Sequence, residues 1–251
     1  MTDDRMAATR VSAGQRYLEM ASALIRRLDT DEWRHIDAAA ELMTEAMARG
    51  GSIHVFGSGH SHILAEELFY RAGGFVRIEP ILFEGLMLHA SATLSTSLER
   101  VPGLAAAILD DHPTRSGDVL LIGSNSGSNA VVIEMAQEAR TRGLRTIAIT
   151  SIDHATSDAA RQREAPRLHE LVDVVIDNGG VVGDAAVQIE DLPMRVAPTS
   201  TVVVAAIANV LVAEVAERLM ARGVEPEIFS SSNVAGGDAV NQDHLRRTDA
   251  R

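Results

Sequence analysis

The sequence predicts an α/β fold, a doubly wound five-stranded parallel sheet with an N-terminal helical extension. Three observations carry this reading. Short apolar runs of strand length alternate with longer stretches of helical periodicity. The runs Val119-Leu120-Leu121-Ile122 and Ile147-Ala148-Ile149 are apolar throughout, as strands covered on both faces are. No Pro/Ser-rich linker and no internal repeat breaks the 251 residues. The reading is therefore one structural unit: helical extension over 1–50, sheet domain over 51–222, and a tail or lid over 223–251.

Val11 to Arg49 reads as two helices. Ser12-Ala13-Gly14 opens the first, whose face carries Leu18, Ala21, Leu24, Ile25 and Leu28. Thr30 or Asp31 caps the second, and Gly50-Gly51 stops it. Ser52 to Phe56 is the first strand and ends in Gly57. His62 to Arg71 is helical and closes at Gly73-Gly74. Phe75 to Glu79 is the second strand, stopped by Pro80, and residues 81–113 mix helix and loop. Asp118–Gly123 and Arg145–Thr150 are strands on either side of a helix over 130–142. Val172 to Ile176 is the fifth strand. A long helix runs from about Thr199 to Met220, with Pro198 placed for its start. Its central stretch, Thr201 to Ala213, is apolar nearly all round, which fits either a core or a subunit interface. That stretch is too short to cross a bilayer. The acidic, polar start Thr2-Asp3-Asp4 lacks a signal core, so the expected location is cytoplasmic.

Composition removes whole classes of chemistry. The net charge of −12 argues against nucleic acid or an acidic membrane as partner. Arginine supplies all 23 basic residues, so no Schiff-base, pyridoxal-phosphate or P-loop lysine is available. Cysteine is absent, which removes thiolate catalysis, disulfides and Cys-ligated metal. Hydrophobic residues make up 46%, enough for a substantial core.

Chemistry concentrates in loops at the carboxyl ends of the strands, where such sheets bind ligands. Loops 57–62, 123–129 and 150–154 are expected to surround one crevice. The most informative is Gly123-Ser124-Asn125-Ser126-Gly127-Ser128-Asn129, a turn from strand to helix. The first amides of a helix lack partners within it and carry partial positive charge, so with three serine hydroxyls the turn can cradle a phosphate. Gly57-Ser58-Gly59-His60-Ser61-His62 permits a tight turn with close ligand approach. It matches only two glycines of the dinucleotide fingerprint, because His62 takes the third place. Thr199-Ser200-Thr201 opens the long helix, as a plain cap or as further hydroxyls for a ligand. Asp177 to Asp184 forms a polar glycine loop that either lines the crevice or simply turns. Ser230 to Asp238 is a lid or a disordered end.

Together Gly57-Ser58-Gly59-His60-Ser61, Ser124-Asn125-Ser126-Gly127 and Ser200-Thr201 resemble the three signatures of the SIS (sugar isomerase) domain. The resemblance covers roughly residues 35–220 and is greatest to stand-alone members of that family. It implies a flavodoxin-like SIS fold and a phosphosugar ligand. Gly59, Ser61, Ser124, Asn125, Ser126, Ser128, Asn129, Ser200 and Thr201 would bind phosphate or substrate. It also implies a homodimer or higher homo-oligomer, with the long helix as a candidate contact. Asn129 stands where many members carry Thr, and an amide can still donate to phosphate. The branch that depends on a late lysine is not matched.

Aldose–ketose isomerisation needs a base beside a carbonyl and a second proton carrier, for which carboxylate and imidazole are suited. Ala65-Glu66-Glu67-Leu68 resembles the setting of a catalytic glutamate in the heptose-phosphate isomerases and selects Glu67; Glu84 is a second acid. His60 and His154 are the candidate histidines, with His62, His89 and His244 behind them. A zinc site on His60, His62 and a glutamate is suggested only by His-x-His spacing, so the expectation is no metal and no cofactor. The expected function is a phosphosugar isomerase. The alternative is a non-catalytic phosphosugar sensor acting on a protein partner. A nucleotide-dependent oxidoreductase is a third, weaker reading.

Overall fold

Two amphipathic helices come first. The computed structural model describes residues 11–158 and 166–249, so the stretch Thr2-Asp3-Asp4 lies outside the described residues. Helix α1 (Ala13–Thr30) starts at a capping box. Ser12 Oγ accepts from the Gln15 N–H, and the Gln15 side chain accepts from the Ser12 N–H. Helix α2 (Trp33–Ala48) follows almost at once. Its cap is Glu32, not Thr30 or Asp31, because α1 runs on through Thr30 and Asp31 closes it.

Five parallel strands follow: β1 (Ile53–Gly57), β2 (Ile78–Ile81), β3 (Val119–Gly123), β4 (Arg145–Thr150) and β5 (Val174–Asp177). Their order is β2-β1-β3-β4-β5, so the chain winds one way from β1 to β2 and the other way from β1 through β3 to β5. Between them lie α3 (Ile63–Leu68), α4 (Ala92–Leu98), α5 (Leu104–Asp110), α6 (Ala130–Thr141), α7 (Ile152–Thr156) and α8 (Leu168–Leu171). An antiparallel ribbon, β6 (Ala185–Val187) with β7 (Val196–Pro198), leads into α9 (Ser200–Ala221), and α10 (Gly237–Asp249) is the last element. This is the α/β architecture the sequence predicts.

Side chains alternate across the sheet because successive Cβ atoms point to opposite faces. Ile53, Val55, Val119, Leu121, Ile147 and Ile149 pack with Met43 of α2, Leu64 of α3 and Ile207 and Leu211 of α9. Phe56, Leu120, Ile122 and Ala148 pack with Leu109 of α5 and Val132 and Met135 of α6. Each such aliphatic side chain taken from water contributes about 1.5–3 kcal/mol. The inner face of α9 buries Val203, Ile207, Leu211, Val215 and Leu219, while Val202 and Met220 on its outer side remain exposed. Among the described residues no helix is long and apolar enough to cross a membrane.

Several boundaries differ from the sequence reading. The second strand is Ile78–Ile81 and contains Pro80, where the reading had Phe75–Glu79 stopped by that proline. β2 is an edge strand, and an edge tolerates a residue without an N–H. Phe75 instead pairs with Ile228. The helix expected to reach Arg71 stops at Leu68, since Phe69 turns extended and Tyr70 has φ +45°. The ribbon of β6 and β7 and the short α8 carry too few residues for periodicity to show. After α9 the chain passes beside β2's approach, where the Val76 N–H donates to Glu227 O and the Phe229 N–H to Gly74 O. Asn241 of α10 bonds both backbone groups of Ser230.

Two glycines at the carboxyl ends of adjacent strands set up the next level of structure. Gly57 and Gly123 lie side by side in the β1–β3 register. A Cβ at Gly57 would lie 2.3 Å from Ser61 O, whereas one at Gly14 on α1 would meet nothing within 4 Å. Gly57→Ala is therefore predicted to cost about 3 kcal/mol through overpacking. Gly14→Ala should stabilise by roughly 0.5–1 kcal/mol by removing a helical glycine. Urea unfolding of both variants checks this, and equal effects would contradict it.

Candidate functional site

At the carboxyl ends of β1, β3 and β4 the surface folds into a narrow cleft. Its polar lining is His60, Ser61, Ser124, Asn125, Asn178, Ser200 and Thr201, over an apolar floor of Leu64, Ile149 and Val204. Four chain segments meet there, and each is held by a distinct local device.

The first is the turn after β1. Gly59 takes φ +57°, and residues Gly59–His62 form one 3-10 turn that feeds α3. His62 is buried, with Nδ1 against Gly59 O and Nε2 3.2 Å from Glu66 Oε1. It thus serves the turn, while His60 is exposed at the cleft. Ser58 Oγ donates to Glu99 Oε2 at 3.1 Å.

The second is the serine turn. The Ser124 N–H donates to Ile149 O, and the Gly127 N–H donates to Ser124 Oγ. Gly127 has φ +57°, and a Cβ there would press on Leu168 at 3.2 Å. The Asn125 carbonyl accepts from the Ser151 N–H and from Thr150 Oγ1. Ser128 Oγ donates to Ser126 Oγ at 3.2 Å. Asn129 occupies the cap of α6 in extended conformation and makes no side-chain capping bond. The N–H groups of Asn125, Ser126, Ser128 and Asn129 find no acceptor among the described residues. Four unpaired donors in the turn leading into a twelve-residue helix, whose Val131 N–H is itself taken by Glu99 O, make a concentration of positive potential without any cationic side chain.

The third is the loop after β5. Asp177 takes Arg27 of α1 at 2.7 Å and the N–H groups of Ile152 and Gly179. The Arg27 guanidinium has its pKa raised, although its partial burial works the other way, because its bonds and charges with Asp177, Glu32 and Asp31 outweigh that burial. Gly179 has φ +66°, and a Cβ there would meet Arg27 at 2.4 Å. Beyond it, Asn178 is buried and reaches Asn125.

The fourth is the start of α9. Asp184 accepts from the Thr199 N–H at 3.3 Å, the Ser200 N–H at 3.0 Å and Ser200 Oγ at 2.5 Å. It caps the helix and holds Ser200, leaving Thr201 as the hydroxyl facing the cleft without a side-chain partner among the described residues.

The structure thus brings His60, Ser61, Ser124, Asn125, Ser200 and Thr201 into one lining, with Gly59 in the same turn. Ser126, Ser128 and Asn129 sit in the serine turn but outside that lining. Glu67, Glu84 and His154 do not line it either. Glu67 is bound at both oxygens, to Arg71 Nη1 at 2.5 Å and to Asn209 Nδ2 of α9 at 2.7 Å. Glu84 lies exposed in a 3-10 turn after β2. His154 lies on α7, outside the lining, within the field of Asp184. Loop 150–154 supports Asn125 from behind, and Asn178 takes the place at the cleft that the sequence reading gave to that loop. Glu99 and the capping role of Asp184 carry no local sequence signal. Asn178 lay in a stretch read as either crevice or turn.

Comparison with known proteins gives the family and the fold. A family model described as the SIS domain matches residues 16–151. The UPF0309 protein of Geobacillus thermodenitrificans is 42% identical over 226 residues, covering 90% of this chain and 91% of that protein. Its counterpart in Listeria innocua is 40% identical, covering 90% and 92%. Among solved structures, a phosphoheptose isomerase from Francisella tularensis aligns with TM-score 0.55 at 15% identity, covering 83% of this chain and 99% of that one. Phosphoheptose isomerase GmhA from Neisseria gonorrhoeae aligns with TM-score 0.50 at 17% identity, covering 80% and 93%. The structural likeness is one of fold. The chain belongs to the SIS-domain family.

Burial holds the pKa of His154 below its ordinary 6.5, against an upward pull from Asp184. A histidine kept neutral by folding supports the fold fully above pH 6.5, and that support is lost as pH falls towards the depressed value. Urea unfolding should show stability declining below about pH 6.5, with a shallower decline in His154→Gln. An identical slope in both proteins contradicts the assignment.

Proposed function

We propose that this SIS-domain protein binds a phosphosugar at the serine turn and cleft and interconverts its aldose and ketose forms. The carrying observation is the set of four unpaired N–H groups, at Asn125, Ser126, Ser128 and Asn129, beside a cleft lined by hydroxyls, amides and one imidazole. A dianionic ester fits the turn because helix-start amides and serine hydroxyls donate to it without lysine. The sugar then lies along Ser61, Asn125, Thr201 and the apolar floor. The names of the two aligned isomerases support a phosphosugar as the ligand class.

Proton transfer at the carbon beside the carbonyl falls to His60 in this reading. Among the described residues it is the one titratable side chain lining the cleft. Glu67, the acid selected by family resemblance, is committed to Arg71 and Asn209. The sensor reading draws on the same observation, since a single titratable group and an engaged glutamate describe a binding site as well as a catalytic one. Self-association is proposed along the outer side of α9, where Val202 is 38% and Met220 60% exposed. Light scattering should then give a mass of at least two chains, and a monomer would refute it.

Thermal shift against hexose, pentose and amino-sugar phosphates tests binding. A ligand at about one hundred times its Kd should add roughly 2.7 kcal/mol, and no response to any phosphate rejects the site. Deuterium exchange at the sugar's α-carbon in heavy water tests catalysis. His60→Gln should slow it by about 10²–10⁴-fold and exceed the effect of Glu67→Gln. Tight binding without exchange in the native protein establishes the sensor instead.

A further inference from the structure

The amide of Asn125 is oriented by a relay whose other members contribute no charge. The Gly180 N–H donates to Asn178 Oδ1 at 2.8 Å, so the Asn178 Nδ2 must face the other way. It donates to Asn125 Oδ1 at 2.9 Å. That bond in turn fixes Asn125, whose Nδ2 is buried and has no partner. A backbone N–H thereby dictates, through two side chains, that the unpartnered end of the Asn125 amide beside the cleft is a donor and not an acceptor. Asn178 has little freedom to depart from this arrangement. It is 2% exposed, and its own N–H donates to Thr150 O at 2.8 Å. Gly180 leaves the room, since a Cβ there would lie 3.0 Å from Asn178 Oδ1 and 3.3 Å from Asn125 Oδ1.

We infer that Asn178 is a positioning residue that sets Asn125 to donate to a carbonyl or hydroxyl oxygen of the sugar, apart from the phosphate. A buried donor left unpaired is costly, so the site discriminates for an oxygen placed to accept from it. The location supports the sugar assignment. Asn125 turns towards β5 and lines the cleft with Asn178, while Ser126, Ser128 and Asn129 at the helix start lie outside that lining. The inference rests on the phosphosugar reading.

Asn178→Asp is the informative variant. The aspartate still accepts from the Gly180 N–H and keeps the side-chain shape, but it no longer donates. Asn125 then turns its Nδ2 towards residue 178 and its Oδ1 into the cleft. Affinities for inorganic phosphate and fructose 6-phosphate are measured by calorimetry on the full chain. The variant should lose about tenfold more affinity for fructose 6-phosphate than for phosphate. That excess should vanish in an Asn125→Ala background, where a merely structural role or the added charge would persist. Asn178→Leu, which carries no charge, runs the same cycle should the aspartate variant not fold. No excess, an excess that survives Asn125→Ala, or native protein binding the sugar phosphate no tighter than phosphate overturns the relay. Native protein binding neither probe refutes the phosphosugar reading itself, and the relay with it.

Discussion

The site depends on one close approach of backbone to backbone. The carbonyl of Ser61 folds back over the ends of β1 and β3, where any side chain at Gly57 would collide with it and one at Gly123 would press on Leu64. With that approach made, α3 starts directly above the sheet and Leu64 becomes the floor of the cleft. His60 and Ser61 then stand opposite Ser124 and Asn125. Side chains of the cleft are thus placed by two residues that have none.

A second layer of constraint comes from outside the sheet. Arg27 on α1 and Glu32 before α2 both bond to Asp177, the last residue of β5. Asp177 then fixes the N–H groups of Ile152 and Gly179. The loop that follows supplies Asn178 to the cleft and Asp184 to the cap of α9. The N-terminal helices are therefore coupled to the site through one residue, Asp177, by its carboxylate to Arg27 and by its N–H to Glu32. Partly buried networks of this kind define geometry more than they add stability, because the desolvation of each charge offsets much of its pairing.

Much of this was legible in the sequence because it rests on local rules. Continuous apolar runs marked β3 and β4, and Ser12-Ala13-Gly14 marked the start of α1. The glycine and serine turns after β1 and β3 announced both halves of the cleft. What stayed hidden depends on distant partners. Pro80 was read as a stop, since its tolerance follows from β2 lying at the sheet edge, which only topology decides. Glu67 was selected by a resemblance of its local sequence, and His154 by its position after a strand. Arg71 is a local partner of Glu67, but the amide that takes its other oxygen, Asn209, is on α9 and arrives 142 residues later. The cap of α9 is Asp184, 16 residues before Ser200 and across the β6–β7 ribbon, beyond the reach of any local capping pattern.

The absence of lysine sharpens the electrostatic argument. A chain of net charge −12 that is to hold a phosphate dianion must provide locally what its overall field opposes. Unpaired amides at the start of α6 do so over a short range, where screening matters least. The most direct measurement is a crystal structure with a phosphosugar bound. The account predicts the phosphate against the N–H groups of Asn125, Ser126, Ser128 and Asn129 and the sugar between Ser61, Asn125 and Thr201. A phosphate seated away from that turn, with the turn's amides still facing solvent, would contradict it.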